Sequence, residues 1–121
     1  MVGLGGLTGA VLRFIISGWA QNVSNRFPAG TLTVNLAGSL LLGLIMFLSE
    51  YTTQISADQR VFLTIGMLGA FTTMSTFSFE TLRLFEEKAY YLFTLNLIGT
   101  NLLCLIGVYT GKLLASRISG V

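Results

Sequence analysis

The chain has 121 residues, of which 53% are hydrophobic and 10% are charged, and its formal net charge is +2. Soluble proteins carry roughly 25% charged residues, so this composition excludes an ordinary soluble domain with a polar shell. One cysteine, no histidine and a small, scattered basic charge argue against an enzyme, a zinc or disulfide framework and a nucleic-acid partner.

The apolar residues form four runs, each near or above the ~20 residues that an α-helix needs to cross a ~30 Å hydrocarbon core. We therefore predict an all-α membrane protein with four transmembrane helices in a single domain, at about residues 2–20, 29–49, 61–82 and 89–114. The first run lacks the basic start of a signal peptide, so we expect it to stay in the mature chain.

Arg13 lies in the middle of the first span, where a basic side chain costs roughly 2.5–3.5 kcal/mol on insertion scales. Such a charge would attract an anion, although the long side chain could instead snorkel to the nearby membrane surface. The acidic residues, by contrast, all lie at span ends, so none is available mid-membrane to hold an organic cation or relay protons: Glu50, Asp58, Glu80, Glu86 and Glu87.

The second span carries Thr31, Asn35 and Ser39 on one helical face, at spacings of four residues. The Asn35 amide has two N–H donors and a carbonyl acceptor, so it must either bond across a helix interface or face water. Two interpretations remain open for this face: polar contacts and small residues that pack the helices together, or the lining of a pathway.

The third span is unusually rich in Gly, Ser and Thr between residues 66 and 78. Gly66 and Gly69 loosen the helix, and the hydroxyls that follow can stabilise a break, so we predict a third helix broken mid-membrane. Unwound carbonyls commonly coordinate a cation such as Na⁺. Phe71 and Phe77 flank the segment, and the positive edges of their rings could help to hold an anion.

The fourth span repeats the polar pattern with Asn96, Thr100 and Cys104, again four residues apart. These side chains could form a ladder that passes a small anion from site to site, or they could simply be packed. Gly99, Gly107 and Gly111 lie on another stripe and favour helix packing.

Basic residues are balanced between the two membrane faces, with Arg60, Lys112 and Arg117 on one and Arg26, Arg83 and Lys88 on the other. This balance gives no preferred orientation, so we predict insertion both ways and an antiparallel, dual-topology homodimer, unless a charge near a boundary has been assigned to the wrong side. Four helices pack around filled cores, so a pore is more easily built between two subunits.

Three motifs, in this order, make the whole chain resemble the Fluc (CrcB) family of fluoride channels. They are residues 5–14 (GGLTGAVLRF), residues 30–39 (GTLTVNLAGS) and the segment 66–79, which is similar to the family's G-x-x-G-G-x-T-T-F-S-T-F signature; the polar face of the fourth span completes the match.

The resemblance implies a passive channel that exports cytoplasmic fluoride across the plasma (inner) membrane through two pores in an antiparallel dimer. It implies that the backbone carbonyls of Gly69 and Thr72 from both subunits hold a central structural Na⁺. It also implies an acidic position at Glu80, Arg13 near an aqueous vestibule, and a pore lined by Asn35, Met74, Ser75, Thr76, Phe77, Asn96, Thr100 and Cys104.

Three positions depart from the family pattern. Ala70 replaces a glycine, which narrows the backbone angles available there, and Met74 replaces a phenylalanine, so one ring edge is lost. Cys104 offers a weaker donor than the small or hydroxyl residue that the family often has.

The alternatives to a fluoride channel are a small multidrug-type exporter, also with four spans, and a membrane scaffold without transport. The exporter class relies on a carboxylate in its first span, where this chain has Arg13. A scaffold would explain the small residues but not Asn35 and Arg13 together.

Overall fold

The computed structural model describes residues 1–121 and is helical, with no β-strand. Four helical spans are long and apolar enough to cross a membrane: Val2–Gln21, Ala29–Tyr51, Ala57–Glu86 and Tyr90–Ser119. The prediction of an all-α membrane protein with four spans is thereby confirmed. The helices continue beyond the apolar runs because helical backbone persists into the polar surface region, which hydropathy does not mark.

The first two spans are single helices and the last two are composite. Helix α1 is Val2–Gln21 and α2 is Ala29–Tyr51. The third span comprises α3 (Ala57–Val61), a π-helical segment π1 (Phe62–Leu68), α4 (Gly69–Phe71) and α5 (Met74–Glu86). The fourth comprises α6 (Tyr90–Thr94), a second π-helical segment π2 (Leu95–Gly99) and α7 (Thr100–Ser119).

A capping box explains why the third span begins at Ala57, before the apolar run. The Ser56 hydroxyl accepts from the Gln59 N–H at 3.2 Å, and the Gln59 side chain accepts from the Ser56 N–H at 2.9 Å. Two N–H groups that a helix start would leave without partners are thus satisfied, which fixes the start of α3 in polar sequence.

Two residues with extended backbone join α4 to α5. Thr72 has φ −86° and ψ 158°, and Thr73 has φ −151° and ψ 114°. Each threonine hydroxyl supports the adjoining helix end. Thr72 donates to the Leu68 carbonyl at 3.0 Å, while Thr73 caps α5 by accepting from the Thr76 N–H at 3.3 Å. Threonine is one of the residues that favour a helix N-cap.

Glycines allow the helix backbones to touch at the main crossings. A Cβ on Gly43 or Gly111 would collide with the backbone of the facing helix in the α2–α7 contact, the most extensive in the fold. Gly9 of α1 lies equally close to the Met67 backbone of π1. Transmembrane helices commonly use small residues in this way, so these crossings set the frame that holds the polar residues.

The interior is small. Only 21 of 121 residues are buried, and the apolar core is a cluster of Val34, Leu68 and Phe71. Large apolar side chains are instead exposed along every span, among them Phe14 (81%), Trp19 (74%) and Leu105 (68%). A single chain in this state needs lipid or another subunit to cover its surface.

Candidate functional site

A cleft of about 300 Å³ lies between α2, the middle of the third span and α7. It brings together residues from the second, third and fourth spans. None of the side chains around it is charged, and most of its polar groups are amides and hydroxyls. The lining residues are Asn35, Gly38, Ser39, Leu42, Thr64, Leu68, Gly69, Thr72, Thr73, Met74, Phe77, Thr100, Asn101 and Cys104.

Asn35 pairs with the backbone of Thr73 across the α2–α5 interface. The Thr73 N–H donates to Asn35 Oδ1 at 2.7 Å, and Asn35 Nδ2 donates to the Thr73 carbonyl at 3.1 Å. A side-chain amide thus satisfies both backbone groups of a buried residue in the extended segment. Of the two possibilities left open by the sequence, Asn35 takes the bond across a helix interface, and it also borders the cleft.

The first turn of α5 gathers hydroxyl groups around the Thr73 cap. The Thr73 hydroxyl donates to Thr76 Oγ1 at 3.0 Å and lies 3.4 Å from Ser75 Oγ. Ser75 and Thr76 are exposed and lie outside the lining of the cleft. A helix N-terminus with hydroxyls beside its free N–H groups is an environment that favours an anion.

Met74 and Phe77 are one helical turn apart on α5 and both line the cleft. Phe77 is buried, with 4% of its surface exposed, whereas Met74 is 68% exposed. Phe77 therefore forms a fixed wall. Met74, at the position where the resemblance predicts a ring, presents a flexible thioether at the open side.

The polar residues of the fourth span divide between the cleft and the interior. Thr100 and Cys104 line the cleft, but Asn96 does not: it is 1% exposed and donates to Thr81 Oγ1 at 2.8 Å. The Thr100 hydroxyl donates to Asn96 Oδ1 at 3.0 Å, so a residue that lines the cleft is bonded to one in the interior. Asn96 thus ties the last span to α5 instead of facing the cleft.

Asn101 lines the cleft although the sequence pattern did not single it out. Its side chain is exposed and donates to the Leu97 carbonyl at 2.5 Å. The only signal for it in the sequence is its position next to Thr100, since a shift of the polar face by one residue would include it.

A second cavity, of about 380 Å³, contains Arg13. It is lined by Ala10, Arg13, Phe14, Ser17, Thr31, Val34, Thr73 and Thr76, so Thr73 borders both cavities. Arg13 has no carboxylate partner, because the one ion pair of the chain joins Arg83 to Glu87. The guanidinium therefore has no ion-pair partner, and Arg13 shares the lining of this cavity with Thr31 and Thr76.

Glu80 lies beyond this second cavity, on α5. Its Oε1 accepts from the Thr31 hydroxyl at 2.9 Å, while its buried Oε2 has no hydrogen-bond partner. The carboxylate is thus held to α2 by one bond, and it is absent from the lining of both cavities.

The carbonyls of Gly69 and Thr72 take no part in helical hydrogen bonds. In a continuous α-helix the Thr73 N–H would bond the Gly69 carbonyl, but here it donates to Asn35. No backbone N–H donates to the Thr72 carbonyl. Carbonyls released in this way commonly coordinate Na⁺ in membrane proteins, so the donor set fits that ion.

Comparison with known proteins gives consistent matches over nearly the whole chain. The family model described as "CrcB-like protein, Camphor Resistance (CrcB)" matches residues 1–112. A fluoride-specific ion channel, FluC 1 of Methanosarcina acetivorans, is 50% identical over 119 residues, which cover 98% of this chain and 91% of the relative. FluC 3 of Methanosarcina barkeri is 49% identical, covering 98% and 90%. FluC of Geobacter sulfurreducens is 42% identical over 114 residues, covering 93% and 92%.

Proposed function

The chain belongs to the CrcB family, and from this premise we propose that it carries fluoride passively through two pores at the interface of an antiparallel homodimer. It is a fluoride channel and a multi-pass membrane protein, not an enzyme. The plasma (inner) membrane and the direction out of the cytoplasm belong to the proposal.

The observation that carries the proposal is the neutral lining of the cleft. Fluoride is small and strongly hydrated, so a pathway must replace its water with donors at several modest sites. The cleft offers the second N–H of the Asn35 amide and of the Asn101 amide, whose first N–H groups donate to the Thr73 and Leu97 carbonyls, and the weak S–H donor of Cys104, with no carboxylate to repel an anion. A small multidrug exporter would need an embedded acid, and neither cavity has one in its lining.

Along the proposed path, Arg13 would concentrate fluoride in the second cavity, and the hydroxyls of Ser75 and Thr76 would hand the ion toward Asn35. The ring edge of Phe77 and the thioether of Met74 would flank it in the cleft, with Thr100 and Cys104 on the opposite wall. Asn96 is placed behind this wall. Its part in the pathway would be to fix the position of Thr100, which donates to it.

Three features support the dimer. The cleft is open on the side where Gly69 and Met74 are exposed, so one chain does not enclose a pore. Apolar side chains are exposed on all spans, and the basic residues of the two membrane faces are equal in number. An antiparallel partner would close the cleft and use the same surface on both subunits.

A structural Na⁺ would be held by the carbonyls of Gly69 and Thr72 from both subunits. When bound, the ion would supply a fixed positive charge that offsets the uncompensated carbonyls and joins the two chains. The extended backbone at Thr72 and Thr73, stabilised by Asn35, directs these carbonyls away from helical bonding.

The test is flux from liposomes that contain the purified protein. Fluoride, followed with a fluoride electrode, should leave the vesicles while chloride, followed with a chloride electrode, stays inside; protein-free liposomes provide the control. Equal fluxes of the two anions would contradict selectivity. Replacing Na⁺ by N-methylglucamine on both sides should reduce the flux, and an unchanged flux would count against the Gly69 and Thr72 site alone.

A further inference from the structure

A basic pocket of about 710 Å³ lies at one end of the bundle, remote from both cavities described above. It forms where the connection between α1 and α2 meets the turn between α5 and α6. We call it the Arg26–Lys88 pocket. Its polar lining consists of Ser24, Asn25, Arg26, Lys88, Tyr90 and Tyr91.

The pocket contains two cations and no carboxylate. Neither Arg26 nor Lys88 forms an ion pair. The nearest competitor along the chain, Glu87, is engaged by Arg83 at 3.1 Å. Arg26 also borders a groove that contains Glu80 and Glu87, without an ion pair to either. The two basic side chains are therefore free for an anionic ligand.

Backbone and side-chain bonds hold both walls of the pocket in place. On one wall the Ser24 hydroxyl accepts from the Phe27 N–H at 3.0 Å, and Gln21 Nε2 donates to the carbonyls of Ser24 and Phe27 at 2.6 and 2.9 Å. On the other, the Lys88 N–H donates to the Phe85 carbonyl at 3.0 Å. The backbone on both walls is thus ordered before a ligand arrives, while the side chains of Arg26 and Lys88 are exposed.

Lys88 is the one non-glycine residue of the chain with positive φ, at 58°. Glycine is the residue that normally takes this conformation at a helix end. Lys88 therefore ends α5 as a glycine would, but it also places a positively charged side chain in the lining of the pocket.

The position of the pocket identifies the ligand. Tyr90 and Tyr91 are 54% and 79% exposed at the start of the fourth apolar span. Exposed tyrosines at the end of a span mark the level of lipid headgroups. A basic pocket at this level attracts anionic lipids. We propose that the Arg26–Lys88 pocket binds the phosphodiester headgroup of an anionic phospholipid.

The experiment measures lipid binding to the purified protein in detergent by native mass spectrometry. Phosphatidylglycerol and phosphatidylcholine are titrated separately onto the wild type and the double variant R26Q/K88G. Lys88→Gly suits the positive φ, so the variant should fold, and size-exclusion chromatography checks its assembly. The control, R60Q/R117Q, removes the same charge from exposed arginines at the other end of the bundle.

Wild type and R60Q/R117Q should both prefer phosphatidylglycerol, and R26Q/K88G should bind it roughly tenfold or more weakly. Equal weakening in both double variants would overturn the proposal, because diffuse surface charge would then explain binding. Equal binding of phosphatidylcholine by the wild type would also overturn it. In a separate experiment, the thermal stability of the protein is measured with inorganic phosphate and with phosphatidylglycerol. If phosphate raises the melting temperature as much as phosphatidylglycerol does, the pocket binds a free anion and the proposed lipid site is refuted.

Discussion

Replacing Asn35 by alanine should destabilise the fold as well as reduce flux. The substitution removes both bonds between the amide and Thr73, whose backbone is buried with 8% of the residue exposed. Hydrogen bonds between membrane helices are worth about 0.6 kcal/mol on average and about 1.7 at most. Two such bonds amount to about 1–3 kcal/mol, or roughly a 5- to 150-fold change in the ratio of folded to unfolded protein.

Equilibrium unfolding in mixed micelles measures the first effect, and fluoride efflux from liposomes measures the second. Ser39→Ala is the matched control, because Ser39 lies one turn further along the same face, borders the same cleft and has no hydrogen bond to another residue. Asn35→Asp keeps the acceptor for the Thr73 N–H but adds a negative charge. Its fluoride flux should therefore be reduced more strongly than its free energy of unfolding. If Asn35→Ala unfolds no more readily than Ser39→Ala, the bonds to Thr73 do not stabilise the extended segment and the reasoning is wrong.

Three further substitutions test the cleft and the residues behind it. Met74→Phe should preserve or raise fluoride flux by restoring a ring edge, and a large loss in the efflux assay would show that the thioether is adapted to its place. Asn96→Leu should lower the free energy of unfolding in micelles by about 1–3 kcal/mol. It should leave the ratio of fluoride to chloride flux unchanged, because the side chain is buried behind the cleft. A changed flux ratio with unchanged stability would instead place Asn96 in the fluoride pathway. Gly38→Ala should reduce fluoride flux and stability, because a Cβ at this position would collide with the Thr72 methyl group. The control, Gly18→Ala, places a Cβ in open space and should be neutral. If the two variants behave alike, Gly38 and Thr72 do not approach each other closely.

Hydropathy and charge were sufficient to predict the four spans, because the cost of burying polar groups in lipid acts on each segment separately. The contact between Asn35 and Thr73 could not be predicted in the same way. The sequence restricts the Asn35 amide to a partner or to water, but the partner is backbone, whose freedom to bond depends on where the α4 helix ends.

The fourth span shows the limit of a periodicity argument. A constant α-helical period predicts one face for Asn96, Thr100 and Cys104, yet Asn96 points to Thr81 and Asn101 joins the cleft. The π2 segment ends just before Thr100, and a π-helical turn contains more residues than an α-helical one, so the register shifts locally. Thr81 gave no signal, since its hydroxyl bonds its own helix at the Phe77 carbonyl, as many helical threonines do.

Thr73 lines both cavities and so lies between them. The backbone of this residue is held by Asn35, whereas its hydroxyl belongs to a cluster of neighbouring hydroxyls that can exchange donors and acceptors. Hydroxyl rotation is a local motion, far faster than the microsecond-to-millisecond rearrangements of helices. For the proposed pathway we therefore expect ion transfer past Thr73 to need rotation of these hydroxyls and no rearrangement of the helices.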